Sequence, residues 1–269
     1  MSESTVAEAF SRKALVYDEF GQGHLNLERM RSKVRSHLLA CLRAGDQVLE
    51  LNAGTGGDAV YLARRGFHVY ATDISPGMLA RIEAKIQSEN LQEYLSVQSC
   101  SISKLENIQM GPFDLVFSNM GGINCIDNPS RIAAGIKSLL TPQGIVVLVV
   151  MPPVCLWELS QALRGNVKVA ARRLHPGGVL ANVEDVQFYT YYYSPAQILK
   201  SFGSDYRPLK IQGLSVFTPT ADNKYFSSKH ARIFRFLRSM DDRLSDLPPF
   251  NRMGDFYILT LRYTPERDI

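Results

Sequence analysis

The sequence lacks paired cysteines and lacks any apolar run long enough to span a bilayer. Its four cysteines, Cys41, Cys100, Cys125 and Cys155, are scattered with no CxxC pair, and they read as reduced thiols of a cytosolic chain. The longest apolar stretch, 144–153, is about one strand in length and reads as a buried strand, so no membrane span is expected. Residues 1–10 are polar and acidic, without a basic start followed by an apolar segment. That argues against a secretory signal and for a cytoplasmic location. No group of His, Cys and acidic residues has metal-ligand spacing, so no metal is expected. A strong charge bias is missing as well: 30 Lys and Arg against 26 Asp and Glu leave a net charge of +4. The most basic segment, 229–238, carries Ile233, Phe234, Phe236 and Leu237 at helical spacing. Its basic side chains then fall on the solvated side of an amphipathic helix, which argues against a nucleic-acid partner.

What is present is an ordinary globular composition, 45% hydrophobic and 21% charged, over 269 residues. That suffices for one well-buried α/β domain with insertions. Residues 10–17 and 30–42 have helical apolar spacing, interrupted by Gly21-Gln22-Gly23. From 47 onward strands alternate with helices: strands at 48–51, 67–72, 94–100, 113–118 and 145–150, helices opening at 59, 75 and 132. This alternation implies a parallel sheet with helices on both faces. After Pro152-Pro153 the rhythm changes. Helices are expected at 157–163, 167–174, 195–202 and 227–244, and strands at 186–193, 209–216 and 256–261.

The densest signal is Val48-Leu49-Glu50-Leu51-Asn52-Ala53-Gly54-Thr55-Gly56-Gly57-Asp58-Ala59. A glycine loop between a parallel strand and its helix lies at the carboxyl edge of the sheet, where bare backbone approaches a ligand. Asp73 follows at the end of the next strand, placed to accept hydrogen bonds from a ribose diol. Gly54 to Ala59 also satisfies G-x-G-x-x-A, so a nicotinamide dinucleotide must be weighed. A pyrophosphate favours bare helix-terminal amides, and Glu50 and Asp58 would oppose it. Acidic groups suit a cationic ligand instead.

Residues 50–56 resemble the first motif of class I S-adenosylmethionine (SAM)-dependent methyltransferases. Asp73-Ile74-Ser75-Pro76-Gly77-Met78-Leu79 resembles their second motif, residues 113–119 their fourth strand, and 140–144 the turn before the fifth. Phe10 with Tyr17-Asp18 resembles the start of the ubiquinone/menaquinone-type small-molecule subgroup. The resemblance implies a doubly wound, Rossmann-like, seven-stranded sheet with an antiparallel last strand, plus helical and aromatic cap insertions. Its implied parts are N-terminal helices contributing to a cap (1–44), a SAM-binding core (45–150), a cap insertion (151–187), a core continuation (188–218), a second insertion (219–254), and a final strand and tail (255–269). The implied cofactor residues are Tyr17, Glu50, Asn52, Gly54, Gly56, Asp73, Ile74, Met78, Ser101, Ile102 and Asn119. One departure stands out: the acid that often follows the third strand and binds the adenine amine is absent, and Ser101 stands there.

The implied partner is a small-molecule methyl acceptor under an aromatic cap; the oligomeric state and the acceptor atom stay open at this stage. Asn119, His24, Tyr191 and Tyr193 are the candidate catalytic groups, with Glu28, Asn124, Glu158 and His175 further choices for a base. None forms a recognisable constellation. No Asn-Pro-Pro-aromatic signature of amino-group methylation occurs; Ser118-Asn119-Met120-Gly121-Gly122 takes its place. Two other readings remain beside methyl transfer, an NAD-dependent dehydrogenase and a non-catalytic SAM-binding subunit.

Overall fold

A computed structural model describes residues 3–265. Three helices lead in: α1 (Glu3–Lys13), α2 (Tyr17–Gly21) and α3 (Leu25–Cys41). The alternating core follows as β1 (Gln47–Leu51), α4 (Gly57–Ala63), β2 (His68–Asp73), α5 (Pro76–Glu89), β3 (Leu95–Ser99), β4 (Phe113–Ser118), α6 (Pro129–Lys137) and β5 (Leu140–Val150). Short helices α7 (Leu156–Leu159) and α8 (Val167–Ala171) and a hairpin, β6 (Val179–Val183) and β7 (Val186–Thr190), come next. The chain closes with α9 (Pro195–Phe202), β8 (Tyr206–Leu214), α10 (Phe226–Lys229), α11 (Ala231–Leu244) and β9 (Phe256–Tyr263).

Seven strands form one sheet in the order β3-β2-β1-β4-β5-β9-β8. The first five are parallel, and β9 runs antiparallel to both β5 and β8. Alternate strand residues face opposite layers. Val48, Leu115, Phe117, Val147 and Ile258 pack beneath Met30, Val34 and Leu38 of α3, Ala59 and Leu62 of α4, and Ile82 of α5. Leu49, Val116, Val146, Leu148 and Leu259 pack on the other face against Ile132 and Ile136 of α6 and Ile198 of α9. The strand order reverses at β1, with β2 on one side and β4 on the other. A crevice therefore opens at the carboxyl end of β1.

Several expected elements differ. The first helix starts at Glu3 and ends at Lys13, rather than running from 10 to 17. The helices expected at 157–163 and 167–174 break into α7 and α8, each followed by a 3-10 turn, with Gly165 between them at φ 81°. The helix expected at 227–244 breaks at His230, whose φ is −129°. The strand expected at 186–193 ends at Thr190 and pairs with β6, outside the main sheet. That hairpin turns through Glu184 and Asp185, both at positive φ (49° and 63°), where such turns favour Asn and Gly. The usual turn residues are missing, which hid β6 from the sequence reading.

Candidate functional site

The loop after β1 is built for close approach. Asn52 and Gly54 take φ of 57°, and Gly56 takes 75°. A Cβ on Gly54 would meet nothing within 4 Å, so its open side faces the crevice. A Cβ on Gly56 would lie 2.9 Å from Ile82, so this glycine lets α4 seat against α5 rather than touch a ligand.

Asp73 closes the loop from the neighbouring strand. Its Oδ2 accepts the Gly54 N–H at 2.9 Å and its Oδ1 the Ser75 N–H at 2.8 Å. Burial pushes its pKa up, against those N–H groups, which pull it down. A carboxylate offers about four acceptor positions. The Ser75 hydroxyl and the Ile74 N–H also stabilise the charge, so the carboxylate is held at the cavity edge by the loop around it.

Two adjoining cavities occupy the crevice. The one bearing Asp73, about 90 Å³, is lined by Tyr17, Asn52, Gly54, Ile74, Met78 and Asn119 among others. The second, about 220 Å³, is lined by Ser101, Ile102, Asp127, Arg131, Phe188 and Tyr191 among others. They share Val6, Asn52, Ile74 and Cys125. Burial pushes the Cys125 thiol up to about 12, so it lines the cleft as a neutral apolar group.

α1 roofs both cavities. Phe10 packs on Phe188 of the hairpin with ring centroids 5.8 Å apart, and Ala9 is buried beside Val186. The Gly77 N–H donates to the Ser11 hydroxyl at 3.3 Å, and a Cβ on Gly77 would come within 2.7 Å of the Ser11 carbonyl. Only glycine lets α1 rest so close to α5. Next to it, Asp18 accepts the Thr55 hydroxyl at 2.6 Å and pairs with Lys85 at 2.8 Å, tying α2 to the glycine loop.

Of the sequence-derived cofactor residues, Tyr17, Asn52, Gly54, Asp73, Ile74, Met78, Ser101, Ile102 and Asn119 line these two cavities. Glu50 and Gly56 do not. Glu50 lies beneath the loop, 2% exposed, with Oε2 lacking a hydrogen-bond partner. Burial first, and then Asp58, hold its pKa well above the carboxylate range. Asn119 donates to Asp58 at 2.6 Å, and Arg35 donates to the other Asp58 oxygen at 2.6 Å.

The candidate bases fare differently. His24 is fully buried as the N-cap of α3: Nδ1 accepts the Leu27 N–H at 3.3 Å and Nε2 contacts the Ala221 carbonyl at 2.7 Å. Both nitrogens are spent, which removes it as a base. Tyr193 donates its hydroxyl to the Ile126 carbonyl at 2.6 Å. Asn124 is fully buried and brackets the backbone of Met151 and Tyr191. Glu158 accepts from Arg172 and Arg173. Burial raises its carboxyl, but those guanidiniums hold it below the ordinary range. Glu28 and His175 are exposed and line neither cavity. Tyr191 alone of the four leading catalytic candidates borders the larger cavity with no hydroxyl partner shown, while Asn119 borders the smaller one.

Among the described residues, Cys155, Glu158 and Asp255 form a group close enough to hold a metal ion. Arg173 occupies its centre, 2.6 Å from Glu158 and 2.7 Å from Asp255, so the carboxylates already have their cation. Sequence reasoning missed Glu3, Val6, Ser75, Cys125, Asp127 and Arg131, while Phe188 and Tyr189 of the hairpin belong to the aromatic cap that the sequence implies. Most of these reach the cleft by tertiary return of distant segments, which no local spacing signals.

A seven-stranded sheet with this order, its last strands antiparallel, is the Rossmann-like fold found in methyltransferases. Residues 48–144 match the family described as a methyltransferase domain, an enzyme domain that uses SAM as its cofactor. The chain is 28% identical over 175 residues to a protein-L-isoaspartate O-methyltransferase of Methylorubrum extorquens, covering 63% of this chain and 72% of that one. It is 28% identical over 165 residues to a malonyl-[acyl-carrier protein] O-methyltransferase of Pectobacterium atrosepticum, covering 60% and 58%. In fold it is similar to the CcbJ methyltransferase of Streptomyces caelestis, with TM-score 0.57, 15% identity, and 86% and 88% of the two chains covered. Among the described residues no helix is long and apolar enough to cross a membrane.

Proposed function

We propose that this protein transfers the methyl group of SAM to a small, partly apolar metabolite. The observation that carries the reading is Asp73: a buried carboxylate fixed by the N–H groups of Gly54 and Ser75 and lining a roofed cavity beside the open glycine loop. Asp73 binds the ribose diol. Gly54 and Asn52, with Tyr17 and Asn119 opposite, receive the methionine part. Ile74, Met78 and Ile102 flank the adenine. Glu50 supports the loop from beneath, and Gly56 shapes it.

When bound, SAM supplies a methyl group on a positively charged sulfur, open to in-line displacement. The chain's own part is alignment and exclusion of water by α1, α2 and the hairpin. Well-oriented reactants gain roughly 7–11 kcal/mol from such positioning. A base is needed only when the acceptor must lose a proton. With His24, Tyr193, Asn124 and Glu158 engaged, Tyr191 is the candidate left at the larger cavity, and an acceptor that arrives as a nucleophile, such as a carboxylate, needs no base. The two relatives named as O-methyltransferases support an oxygen acceptor.

Titration calorimetry with SAM tests this. Wild-type protein is expected to bind at micromolar concentration, and Asp73→Ala to lose roughly tenfold or more in affinity, the loss expected for hydrogen bonds to a charged group. Equal affinities for the two proteins, or no heat with either, contradict the assignment.

A further inference from the structure

The adenine end of the cleft has a carboxylate after all, delivered from an unexpected direction. Glu3, in the first turn of α1, lines the larger cavity together with Ser101, Ile102, Ser103 and Ile74. Its Oε1 accepts the Ser103 hydroxyl. Its Oε2 lies 3.7 Å from Lys104 Nζ. Ser101 and Ser103 hydroxyls are 3.1 Å apart, and the Ser103 N–H donates to Ser101 Oγ at 3.2 Å.

Hydrogen-bond accounting then separates the two candidates for the adenine amine. The Ser103 hydroxyl donates to Glu3, and the Ser101 hydroxyl is placed to donate to it as well, so both serines act as donors toward that carboxylate. The Ser101 oxygen also accepts the Ser103 N–H, which leaves it a neutral, weaker acceptor. Glu3 is the end of this chain of donors. It remains ionised: burial raises its carboxyl, but the Ser103 and Ser101 hydroxyls and Lys104 outweigh that and hold it below the usual range. A carboxylate has about four acceptor positions, so capacity remains toward the cavity. Charge-assisted hydrogen bonds are roughly twice as strong as neutral ones.

We infer that Glu3 is the residue that recognises the adenine amine, replacing from the N-terminal helix the acid missing after β3. The inference rests on the cofactor reading above. It makes α1 part of the ligand site rather than only its roof, so the segment that covers the cofactor also reads its base.

The test uses S-adenosyl-L-homocysteine and its inosine counterpart, which carries an oxygen in place of the amine. Both are titrated calorimetrically into the full-length protein and into Glu3→Gln and Asp127→Asn; Asp127 is the other acid lining this cavity. Wild type is expected to prefer the adenosyl ligand by roughly ten- to a hundredfold. Glu3→Gln, whose amide can donate to the inosine oxygen, is expected to bring the two affinities within about threefold, while Asp127→Asn keeps the preference. A preference retained in Glu3→Gln, or lost only in Asp127→Asn, overturns the inference while leaving the cofactor site intact. Failure of wild type to bind either ligand overturns the cofactor reading and the inference together.

Discussion

Two acids at the glycine loop show how position decides chemistry. Asp73 and Glu50 both sit on core strands, and burial pushes both pKa values up. Asp73 is compensated by the N–H groups of Gly54, Ser75 and Ile74 and the Ser75 hydroxyl, and it borders a cavity. Glu50 has only the Ala59 N–H, an orphaned Oε2, and Asp58 and Asp73 nearby, against a single cation, Arg35. A carboxyl whose pKa is higher in the folded state favours folding when protonated. That stability is lost as pH rises from the ordinary carboxylate range through the raised value. Glu50→Gln removes this contribution. Urea unfolding at pH 5 and pH 8 is expected to show a smaller loss of stability with rising pH in Glu50→Gln than in wild type. Parallel pH dependences would show that Glu50 is ionised in the folded protein at both. At this scale Asp73 was legible from sequence because its partners lie within one βαβ stretch. His24 was not: its fate is set by the Ala221 carbonyl, 197 positions away.

At the scale of elements, the cap segment between β5 and β6 is short-helical and poorly buried. Leu163 is 91% exposed and Val167 64%. What anchors it is a charged cluster. Arg173, 4% exposed, donates from Nε to Glu158 on α7 at 2.8 Å and from Nη1 to the Asp255 carbonyl at 2.8 Å. Tyr192 covers its guanidinium, 5.2 Å from ring centroid to Cζ. Removing one member of a buried ion cluster leaves uncompensated charge, which costs about 3–5 kcal/mol. Arg173→Ala is therefore expected to lower unfolding free energy by about that amount, and the more exposed Arg172→Ala by about 0–1 kcal/mol. Equal effects in chemical denaturation would deny Arg173 its special place. The parallel strands were readable because each is a short apolar run bounded by turn residues. The hairpin and the broken cap helices were not, because β6 carries Ala and Asn, its turn lacks glycine, and exposed apolar side chains mimic helical periodicity without a core to face.

Across the whole molecule, segments distant in sequence converge on one edge of the sheet. α1 and α2 come from the start, the β6–β7 hairpin from beyond the fifth strand, and Thr220 and Ala221 from the segment after β8. The hairpin and α1 share a small apolar cluster of Ala9, Val186 and Phe188. Local spacing made the floor of the cleft legible, since the glycine loop and Asp73 belong to consecutive units of one sheet. The roof depends on tertiary return, so its ligand-facing residues had no sequence signature beyond Phe10, Tyr17 and the aromatic residues of the cap. The central claim is that this floor and roof close together on an adenosyl ligand. Hydrogen exchange measured by mass spectrometry, with and without S-adenosyl-L-homocysteine, addresses it directly. Slower exchange is expected at 52–58, 73–79, 101–103 and throughout α1, with the far sheet edge at β8 unchanged. Protection confined to other regions, or none at saturating ligand, would contradict the account.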